Sequence, residues 1–441
     1  MSHTASLPRP SLQPDEQARL NKLVDRPAVQ TLLALLNDEA ATTLIVGGAV
    51  RNALLDYPVA DIDLATTLLP EAVKARADKA GLKTVATGLE HGTLTLILQG
   101  HGFEVTTLRK DIATDGRRAT IAYSTSFTED AQRRDFTMNA LYADHAGTLY
   151  DPVAGLADLR LRHLRFIGDA QTRIREDYLR ILRFFRFFAA YSSDTIDATG
   201  LAACIALKEG LTTLSRERIG HEWLKLLMAR RAAETIALIN RHGLTNTLFP
   251  MPLHPEHLSA LLALMPDAPD MTRLFALFDP ALAQIDACQS ALRLSNTQTV
   301  QLTGLARALE TVPQPLSAAP PHRTALQIWA FTHGPDLARW ALALHLARDK
   351  NRHATGDENA SPSTVFQTLC DPLAPIPHQS PFSGRDLLAH GIKSGPHLGA
   401  MLRKADHLWI EAGFPDDPAL LQALIRRVVN QEKALSGSNP Q

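Results

Sequence analysis

The chain has 441 residues, which is too long for one hydrophobic core of ordinary size and predicts roughly two to four domains. Its residues are 45% hydrophobic and 21% charged, as is typical of a folded globular protein. The formal net charge of -1 excludes a uniformly basic, nucleic-acid-coating surface, although it leaves room for local basic patches.

The sequence shows no sign of export or of membrane insertion. Its start, MSHTASLPRPSLQPDEQ, lacks the apolar segment of a signal peptide, and no apolar run is long enough to span a bilayer. Cys204, Cys288 and Cys370 lie far apart and match neither a disulfide framework nor a CxxC metal motif. We therefore expect buried thiols in a reducing compartment, a cytoplasmic location and no membrane partner.

In chain order, a segment of mixed α and β character comes first. Between about residues 42 and 145, the β-prone runs TTLIV, DIDLAT, TLTLIL and FEVTTL alternate with helical runs such as PEAVKARADKAG. From about residue 150 strand signals give way to Ala/Leu-rich helix, and RIREDYLRILRFFRFFAAY has apolar residues at helical spacing. Pro-rich segments at 312–322 and 371–381 interrupt this part. The pattern predicts an α+β fold, with a mixed α/β domain followed by an all-α region.

The first chemically informative stretch is GGAVRNALLDYPVADIDLATT, which begins at residue 47. The TTLIV strand leads into Gly47 and Gly48, whose missing Cβ atoms let a ligand approach the backbone, and AVRNALL then begins a helix whose N-terminus favours a phosphate. Asp61 and Asp63 follow at i and i+2 spacing, which places both carboxylates on one face of a strand. Two adjacent carboxylates repel each other unless divalent cations lie between them, and Mg2+ with a nucleoside triphosphate is the usual solution.

A third carboxylate is expected from a neighbouring strand. Glu104 meets this need, because Gly100 and Gly102 permit a hairpin after TLTLIL and Glu104 lies on the face opposite Phe103 and Val105. Three carboxylates can hold two metal ions, one that activates an attacking hydroxyl and one that steadies a triphosphate. The alternative is that Glu104 is a surface strand residue and that the two aspartates form a solvated loop end.

Further motifs follow these aspartates in a recognisable order. They are RRDFTMNALY at 133–142, DPVAGLADL at 151–159, REDYLRILRFFRF at 175–187 and LSRERIGHEWLKLL at 214–227. Together with GGAVRN and DIDLATT, this series resembles the class II tRNA nucleotidyltransferase and bacterial poly(A) polymerase family over about residues 42–230. Two positions depart from the family pattern: Asn52 stands where an aspartate is usual, and Asp56 where a glycine is usual. Neither is a predicted metal ligand.

The resemblance implies a nucleotidyltransferase with four parts. These are an N-terminal extension at 1–30, a catalytic α/β head domain at 31–148, a helical neck for nucleobase recognition and RNA binding at 149–250, and a helical body and tail that binds tRNA at 251–441. Asp61, Asp63 and Glu104 are then catalytic and bind two Mg2+ ions. The implied nucleotide-binding residues are Gly47, Gly48, Arg51, Arg133, Arg134, Asp135, Asn139, Asp177, Arg180, Arg183 and Arg186. An arginine pair suits phosphate oxygens, and aspartate or asparagine can bind a ribose hydroxyl.

The resemblance assigns base selection to REDYLR. Asp177 and Arg180, at i and i+3 of a predicted helix, share a face and present an acceptor beside a donor fork. Cytosine and adenine offer an amino group beside a ring-nitrogen acceptor, whereas uracil and guanine reverse that order. Such a pair therefore selects C and A without a template. Glu176 is an alternative partner for Arg180 at i+4, and an ordinary surface ion pair is the alternative to base reading.

Two segments are candidate RNA contacts. Residues 160–186 contain eight arginines against three acidic residues, an excess that favours phosphate binding, although some must pair with these acids and with Glu217 or Glu222. Residues 381–415, with glycines around Lys393, are similar to the tail of bacterial family members. Both tRNA binding and a helix-packing turn remain open for that segment.

The favoured activity is CCA addition, with tRNA, CTP and ATP as partners. TGLEHGTLTLI, residues 87–97, resembles the strand region of CCA-adding members and lacks the basic run of the poly(A) polymerases. RKDIATDGRRAT at 109–120 is expected to be the flexible loop, with Arg117, that full CCA-adding members use to move from C to A, which argues against CC-only addition. Poly(A) synthesis and a non-catalytic RNA-binding protein are the alternatives. The sequence leaves the oligomeric state undetermined.

Overall fold

The structure is a computed structural model, and the chain in it divides into two compact units. Unit 1 extends to Thr235 and takes in Arg241–Leu248, and unit 2 comprises Ile236–Asn240 and the chain from Phe249 onward. The structure describes residues 3–88, 92–115, 118–193, 195–279, 281–314, 316, 322–348, 361–373, 376–377, 379–392, 394–395 and 397–436.

Unit 1 is organised around a seven-stranded sheet. The described strands are β1 Thr43–Val46, β2 Asp63–Thr66, β3 Lys83–Gly88, β4 Thr93–Leu98, β5 His101–Thr107, β6 Arg109–Asp115, β7 Arg118–Tyr123, β8 Tyr142–Ala143 and β9 Leu149–Tyr150. The sheet has the order β3-β4-β5-β2-β1-β8-β9, in which β2 and β5 are parallel and the other pairs antiparallel. The four predicted β-prone runs form β1, β2, β4 and β5, so the predicted mixed sheet is confirmed.

A tight turn connects β4 to β5 and sets the register of the two strands. Gln99 and Gly100 both have positive φ, 53° and 81°, which is the signature of the two-residue hairpin turn that matches strand twist. Phe103 and Val105 are buried while Glu104 between them is exposed, as the alternation predicts. The turn therefore decides which side of the sheet receives the glutamate.

The helices of unit 1 cover this sheet and extend beyond it. They are α1 Pro14–Val24, α2 Pro27–Leu36, α3 Gly48–Leu54, α4 Pro70–Lys79, α5 Phe127–Gln132, α6 Gly155–Arg160, α7 Ala170–Glu176, α8 Leu179–Tyr191, α9 Ala198–Ala206, α10 Arg216–Leu227, α11 Ala232–Arg241, which crosses into unit 2, and α12 Thr245–Leu248. Short 3-10 helices lie at Thr137–Asn139 and Lys208–Thr213. The N-terminal residues are part of the unit's core, because Leu20 and Leu32 are fully buried and Glu16 binds Arg160.

One prediction of local structure is wrong. The apolar spacing of residues 173–191 predicts one helix, but α7 ends at Glu176 and α8 begins at Leu179. Asp177 between them is extended, with φ -155° and ψ 105°, and its Oδ1 accepts a hydrogen bond from the Leu179 N–H at 3.1 Å. A local bond of this kind competes with the helical ladder. The segment at 109–120, which the resemblance implies is the flexible loop, contains the paired strands β6 and β7 in its described residues. Arg117 lies outside the described residues.

Unit 2 is helical throughout its described residues. Its helices are α13 Pro255–Leu264, α14 Asp270–Ala276, α15 Leu282–Leu292, α16 Asn296–Glu310, α17 His322–His333, α18 Pro335–Arg348, α19 Pro362–Cys370, α20 Gly384–Ala389, α21 His397–Glu411 and α22 Pro418–Ser436, with a 3-10 helix at Asp371–Leu373. The predicted Pro-rich interruptions fall between α16 and α17 and between α19 and α20. In the described ranges, none of the helices has the length and apolar character needed to cross a membrane.

The three cysteines are free thiols, and burial raises the pKa of each. Cys204 and Cys288 are buried and Cys370 is half-buried. Burial brings the pKa of Cys288 to about 12, and burial with nearby Asp371 brings that of Cys370 to about 11. The expectation of buried thiols is thus confirmed for two of them.

Close packing of α6 generates a first prediction. A Cβ added at Gly155 would lie 2.1 Å from the Thr137 carbonyl oxygen, so Gly155→Ala is expected to destabilise unit 1 by at least about 1 to 3 kcal/mol. Gly399 in α21 is the control, since its added Cβ would come no closer than 3.9 Å to Arg403. We expect Gly399→Ala to be neutral or to stabilise by about 0.5 to 1 kcal/mol. Urea unfolding followed by circular dichroism measures both, and equal midpoints for Gly155→Ala and wild type would contradict the packing argument.

Candidate active site

The predicted carboxylates meet where β2 and β5 run side by side. Asp63 is the first residue of β2 and pairs directly with Glu104 of β5 in the parallel ladder. Asp61 precedes β2, and Ile62 between the two aspartates is buried. The structure thus places Glu104 on the strand next to Asp63, the position expected of a third carboxylate.

The pKa of Asp63 is raised first by burial and then by the neighbouring carboxylates. Solvent reaches its surface, but protein surrounds the carboxyl group on most sides, and this burial raises its pKa. Glu104 and Asp61 raise it further and Arg134 opposes them, with the result that the pKa of Asp63 is about 6. A divalent cation would relieve this repulsion, and carboxylate oxygens are its preferred ligands. The donor chemistry therefore fits a metal site at Asp61, Asp63 and Glu104.

The three predicted metal ligands are not gathered around one point, however. Across the described ranges, no three or more His, Cys, Asp or Glu side chains lie close enough together to hold one ion. Asp63 and Glu104 are adjacent because β2 pairs with β5, whereas Asp61 lies in the segment that precedes β2. Binding an ion between all three carboxylates thus requires their side chains to close in.

The glycine turn lies beside an arginine of the next motif. Gly47 follows β1, with φ 71° and ψ -119°, and its N–H donates to the Leu141 carbonyl at 3.0 Å. A Cβ built on Gly47 would lie 3.4 Å from Arg134 Nη1. The positive charge of Arg134 also lowers the pKa of Asp63, so Arg134 lies beside the turn and acts electrostatically on the carboxylates. This placement suits a group that binds phosphate.

Asp56, which departs from the family pattern, also has a left-handed conformation. Its φ is 59°, in the region where glycine is favoured and aspartate is among the better tolerated alternatives. The usual glycine at this position is thus explained by backbone geometry, and the aspartate still permits the turn.

Asp130 is a site residue that the sequence analysis missed. Its side chain is 1% exposed and binds Arg133 through Nε at 2.8 Å and Arg134 through Nε at 3.0 Å. The Tyr142 hydroxyl donates to it at 2.8 Å. Burial alone would raise the pKa of Asp130, but the two arginines and Tyr142 outweigh this and lower it. The signal was present in the sequence, because Asp130 stands three and four residues before the two arginines, the spacing of side-chain contacts along a helix.

The buried carboxylate of Asp135 organises the other predicted nucleotide-binding residues. Its Oδ2 accepts from Arg183 Nε at 2.8 Å, and its Oδ1 accepts from Asn139 Nδ2 at 3.1 Å. Burial would raise the pKa of Asp135, yet Arg183, Asn139 and the Phe136 N–H bring it down to about 2. Asp135 is therefore a fixed anion that orients its neighbours.

The predicted pairing of Asp177 with Arg180 is wrong in this structure. Asp177 Oδ2 accepts from Arg218 Nη2 at 2.7 Å, whereas Arg180 Nη1 donates to Glu176 Oε2 at 2.6 Å. Arg180 also donates to the Arg133 carbonyl at 3.0 Å. The alternative partner Glu176 is thus confirmed for Arg180, and the side-by-side Asp and Arg arrangement inferred from a continuous helix is absent among the contacts described.

The arginine-rich segment at 160–186 has fewer arginines available to bind phosphate than its charge count predicts. Most of its arginines bind carboxylates: Arg160 with Glu16, Arg165 with Asp158, Arg173 and Arg180 with Glu176, Arg183 with Asp135 and Glu222, and Arg186 with Glu222. Arg162 donates to the Tyr57 hydroxyl and Arg175 to Gln171. The predicted pairing with Glu222 is confirmed, and the cations are mostly committed to the fold.

Two parts of the sequence match known families. Residues 43–165 match the Poly A polymerase head domain, and residues 195–254 match the probable RNA and SrmB-binding site of polymerase A. The first match covers β1 to β9, including the paired carboxylates and the glycine turn. The fold and the site thus define a nucleotidyltransferase with a head domain of the poly(A) polymerase type.

Relatives that match most of the chain identify the family more specifically than these two partial matches. The mitochondrial CCA tRNA nucleotidyltransferase 1 of Mus musculus is 30% identical over 412 residues, which cover 90% of each chain. The CCA-adding enzyme of Levilactobacillus brevis is 30% identical over 408 residues, 90% of this chain and 96% of that one. This chain belongs to the CCA tRNA nucleotidyltransferase family, and it is an enzyme of that class.

Solved structures agree with this assignment. The Bacillus stearothermophilus CCA-adding enzyme in complex with CTP is 25% identical, with a TM-score of 0.64 over 96% of this chain and 100% of that one. The Thermotoga maritima CCA-adding enzyme complexed with tRNA_CCA shares the fold, with a TM-score of 0.67 at 18% identity over 95% of this chain and 100% of that one.

The pKa of Asp63 generates a prediction about stability in the absence of divalent ions. A folded-state value of about 6, above the usual 3.9, means that Asp63 contributes stability fully below about pH 4 and that this contribution is lost as pH rises through 6. Asp63→Asn cannot ionise, so it is expected to be more stable than wild type at pH 8 with a chelator. The gain is below about 1 kcal/mol, because solvent screens the exposed carboxylate.

Melting temperatures at pH 5 and pH 8 test this expectation. The control is Asp416→Asn, which removes one exposed carboxylate from unit 2 and is expected to leave the melting temperature unchanged. An Asp63→Asn protein no more stable than wild type at pH 8 would show that ionisation of Asp63 does not destabilise the folded chain.

Proposed function

We propose that this enzyme adds CCA to the 3′ end of tRNA without a nucleic acid template, using CTP and ATP and releasing pyrophosphate. The observation that carries the proposal is the direct pairing of Asp63 with Glu104 close after Asp61, with Arg134 beside the glycine turn. The names of the whole-chain relatives support tRNA as the substrate. The ligands named for the solved structures support CTP, ATP and tRNA as partners.

In this proposal the head residues hold the triphosphate and the attacking end of the RNA. Arg134 and Arg133 are oriented by Asp130 and bind phosphate oxygens. The N–H groups after Gly47, at the start of α3, are the proposed backbone donors to the triphosphate, because Gly47 and Gly48 carry no side chains of their own. The reaction joins the 3′ oxygen of the tRNA to the α-phosphorus, breaks the bond to the β-phosphate, and releases pyrophosphate and a proton.

Divalent metal ions are the expected cofactor, with two Mg2+ ions proposed at Asp61, Asp63 and Glu104. When bound, such ions lower the pKa of the attacking hydroxyl and stabilise the negative charge that develops on the leaving pyrophosphate. The three carboxylates supply the oxygen ligands, and the raised pKa of Asp63 shows why the ion-free site disfavours full ionisation.

Base selection requires a change of partners in the neck. Asp177 is bound by Arg218 and Arg180 by Glu176, so neither is free to read a base in this arrangement. Both pairs are only partly buried, with side-chain exposures of 32% for Asp177 and 14% for Arg180. An incoming base that offers an amino group and an acceptor would exchange these contacts for its own. This exchange is the proposed selection step for C and A.

CCA addition is preferred over poly(A) synthesis and over a non-catalytic role. The head-domain match alone is compatible with either polymerase. The relatives of 30% identity that span 90% of the chain carry the CCA-adding name, which favours CCA addition. Both aspartates and the glutamate are present, which argues against a protein that only binds RNA.

Product sequencing tests the activity directly. The protein is incubated with tRNA lacking its 3′ CCA, with Mg2+, and with CTP and ATP singly and together. We expect CC with CTP alone and CCA with both nucleotides. A long A tail made with ATP alone would replace CCA addition by poly(A) synthesis, and no extension by folded protein would favour a binding role.

The catalytic carboxylates give the second functional prediction. Asp63→Ala should reduce nucleotide addition at least a hundredfold, because it removes a ligand for ions that contribute several kcal/mol, about 2.7 kcal/mol per hundredfold. tRNA binding should stay within about twofold of wild type, since the carboxylates do not hold RNA. Single-turnover kinetics and a filter-binding titration measure the two quantities, with Asp416→Ala as the control. A mutant rate above a tenth of wild type would remove Asp63 from the catalytic set.

The neck residues give a prediction about base choice. Arg180→Ala and Asp177→Ala should each lower discrimination against UTP and GTP by roughly one to two orders of magnitude, since an unpaired polar group in a closed site costs about 1 to 3 kcal/mol. Arg175→Ala is the matched control, because Arg175 is exposed in the same segment and contacts Gln171. Incorporation of all four nucleotides and a melting curve are measured for each variant. Unchanged selectivity in folded Arg180 and Asp177 variants would move base reading to other residues, with Glu176 the first candidate.

A further inference from the structure

Arg51 is buried behind the glycine turn. It is 6% exposed, and a Cβ built on Gly48 would lie 3.6 Å from its Nη2. Its Nη1 donates to Asn139 Oδ1, its Nη2 to the Tyr191 hydroxyl and to Asn52 Oδ1 at 2.8 Å each, and its Nε to Asn52 Oδ1 at 3.1 Å. Nearly all donors of the guanidinium are therefore used inside the protein. Arg51 is placed to hold the turn rather than to reach a ligand.

Tyr191, the last residue of α8, holds Arg51 in two ways. Its hydroxyl accepts the hydrogen bond from Nη2, and its ring centroid lies 4.0 Å from the guanidinium carbon. Phe187, one turn earlier, presents its ring at 5.1 Å. Tyr57 stacks on Tyr191 with ring centroids 5.8 Å apart. Cation–π contacts are strongest where the cation is shielded from water, as this one is.

The first turns of α8 are tied to the other side of the same site. Near its start, Arg180 donates to the Arg133 carbonyl at 3.0 Å, and Arg183 donates to Asp135 at 2.8 Å. The helix has 13 residues, so it is about 20 Å long. One rigid element thus connects the base-reading segment at its N-terminus to the glycine turn at its C-terminus.

We infer that Tyr191 is a positioning residue for the nucleotide: through Arg51 it fixes the glycine turn relative to α8. It thereby sets the separation between the groups that bind the triphosphate and those that read the base. The inference rests on the proposed function of these two groups. Because the triphosphate is common to CTP and ATP, loss of the Tyr191 hydroxyl should weaken the binding of both nucleotides by a similar factor. Loss of a base-reading residue should instead change the choice between nucleotides.

The test compares Tyr191→Phe with Tyr150→Phe in the full-length protein. Tyr191→Phe keeps the ring and removes only the acceptor of the Arg51 bond. Tyr150 in strand β9 is the matched control, because its hydroxyl donates at 2.9 Å to Asp144, which is not a residue of the proposed site. The measurements are Kd for CTP and ATP by calorimetry, single-turnover KM and kcat with tRNA lacking CCA, selectivity among four nucleotides, and melting temperature.

We expect Tyr191→Phe to raise Kd and KM for CTP and ATP by a similar factor, about threefold to tenfold, with C and A selectivity unchanged. Tyr150→Phe should leave these values within about twofold of wild type even if its melting temperature falls. Arg51→Lys, which keeps the charge but lacks the planar fork, should reproduce the Tyr191→Phe effect and serves as the second variant if Tyr191→Phe does not fold.

Three results would overturn the inference. Unchanged Kd and KM with a lower melting temperature would make Tyr191 a structural residue only. Altered C and A selectivity with unchanged Kd would place its effect on the base-reading end of α8. Equal losses in Tyr191→Phe and Tyr150→Phe would show a general effect of destabilisation. Wild-type protein that binds both nucleotides but adds none to tRNA would refute the proposed activity, whereas the Kd comparison would still decide the role of Tyr191.

Discussion

A carboxylate that is shielded from water is stabilised by positive charge beside it. Around this site, single carboxylates repeatedly form ion pairs with two arginines. The three such groups are Asp130 with Arg133 and Arg134, Glu176 with Arg173 and Arg180, and Glu222 with Arg183 and Arg186. The Asp130 and Glu176 groups each retain one net positive charge, whereas Arg183 of the third group also binds Asp135, so that this group and Asp135 are together neutral. A chain with a formal net charge of -1 thereby presents concentrated and oriented positive charge where a triphosphate and RNA would bind.

The carboxylates of β2 and β5 show the opposite arrangement. Asp63 and Glu104 have like charges, and the parallel ladder keeps them adjacent through backbone hydrogen bonds that do not depend on the side chains. Burial raises the pKa of Asp63, and this repulsion raises it further. Local electrostatic strain of this kind is common where function requires it and is supported by the rest of the fold. Here the buried residues on either side of Glu104 provide that support.

Much of this arrangement follows from sequence periodicity. The alternation in HGFEVTT places Glu104 opposite its buried neighbours, and the i and i+2 spacing by itself identifies the two aspartates. Periodicity fails where a side-chain hydrogen bond replaces the helical backbone pattern. The apolar spacing continues through Asp177, but the Asp177 side chain accepts a hydrogen bond from the Leu179 N–H and the helix is interrupted there. The role of Arg51 is also hidden from local patterns, since its partner Tyr191 is 140 residues away in the chain. Contacts across such distances depend on tertiary packing, which local patterns do not encode.

The two-residue turn at Gln99 and Gly100 gives the head an unusual sensitivity to changes in length. Surface turns usually tolerate insertions because they are exposed and make few contacts. One added residue here that shifted the register of β5 would bring Glu104 to the side now occupied by Phe103 and Val105, since a strand alternates at every position. Evolution can therefore vary the side chains of this turn more easily than its length. The length of this exposed turn is thus constrained by Glu104, the carboxylate four residues after Gly100.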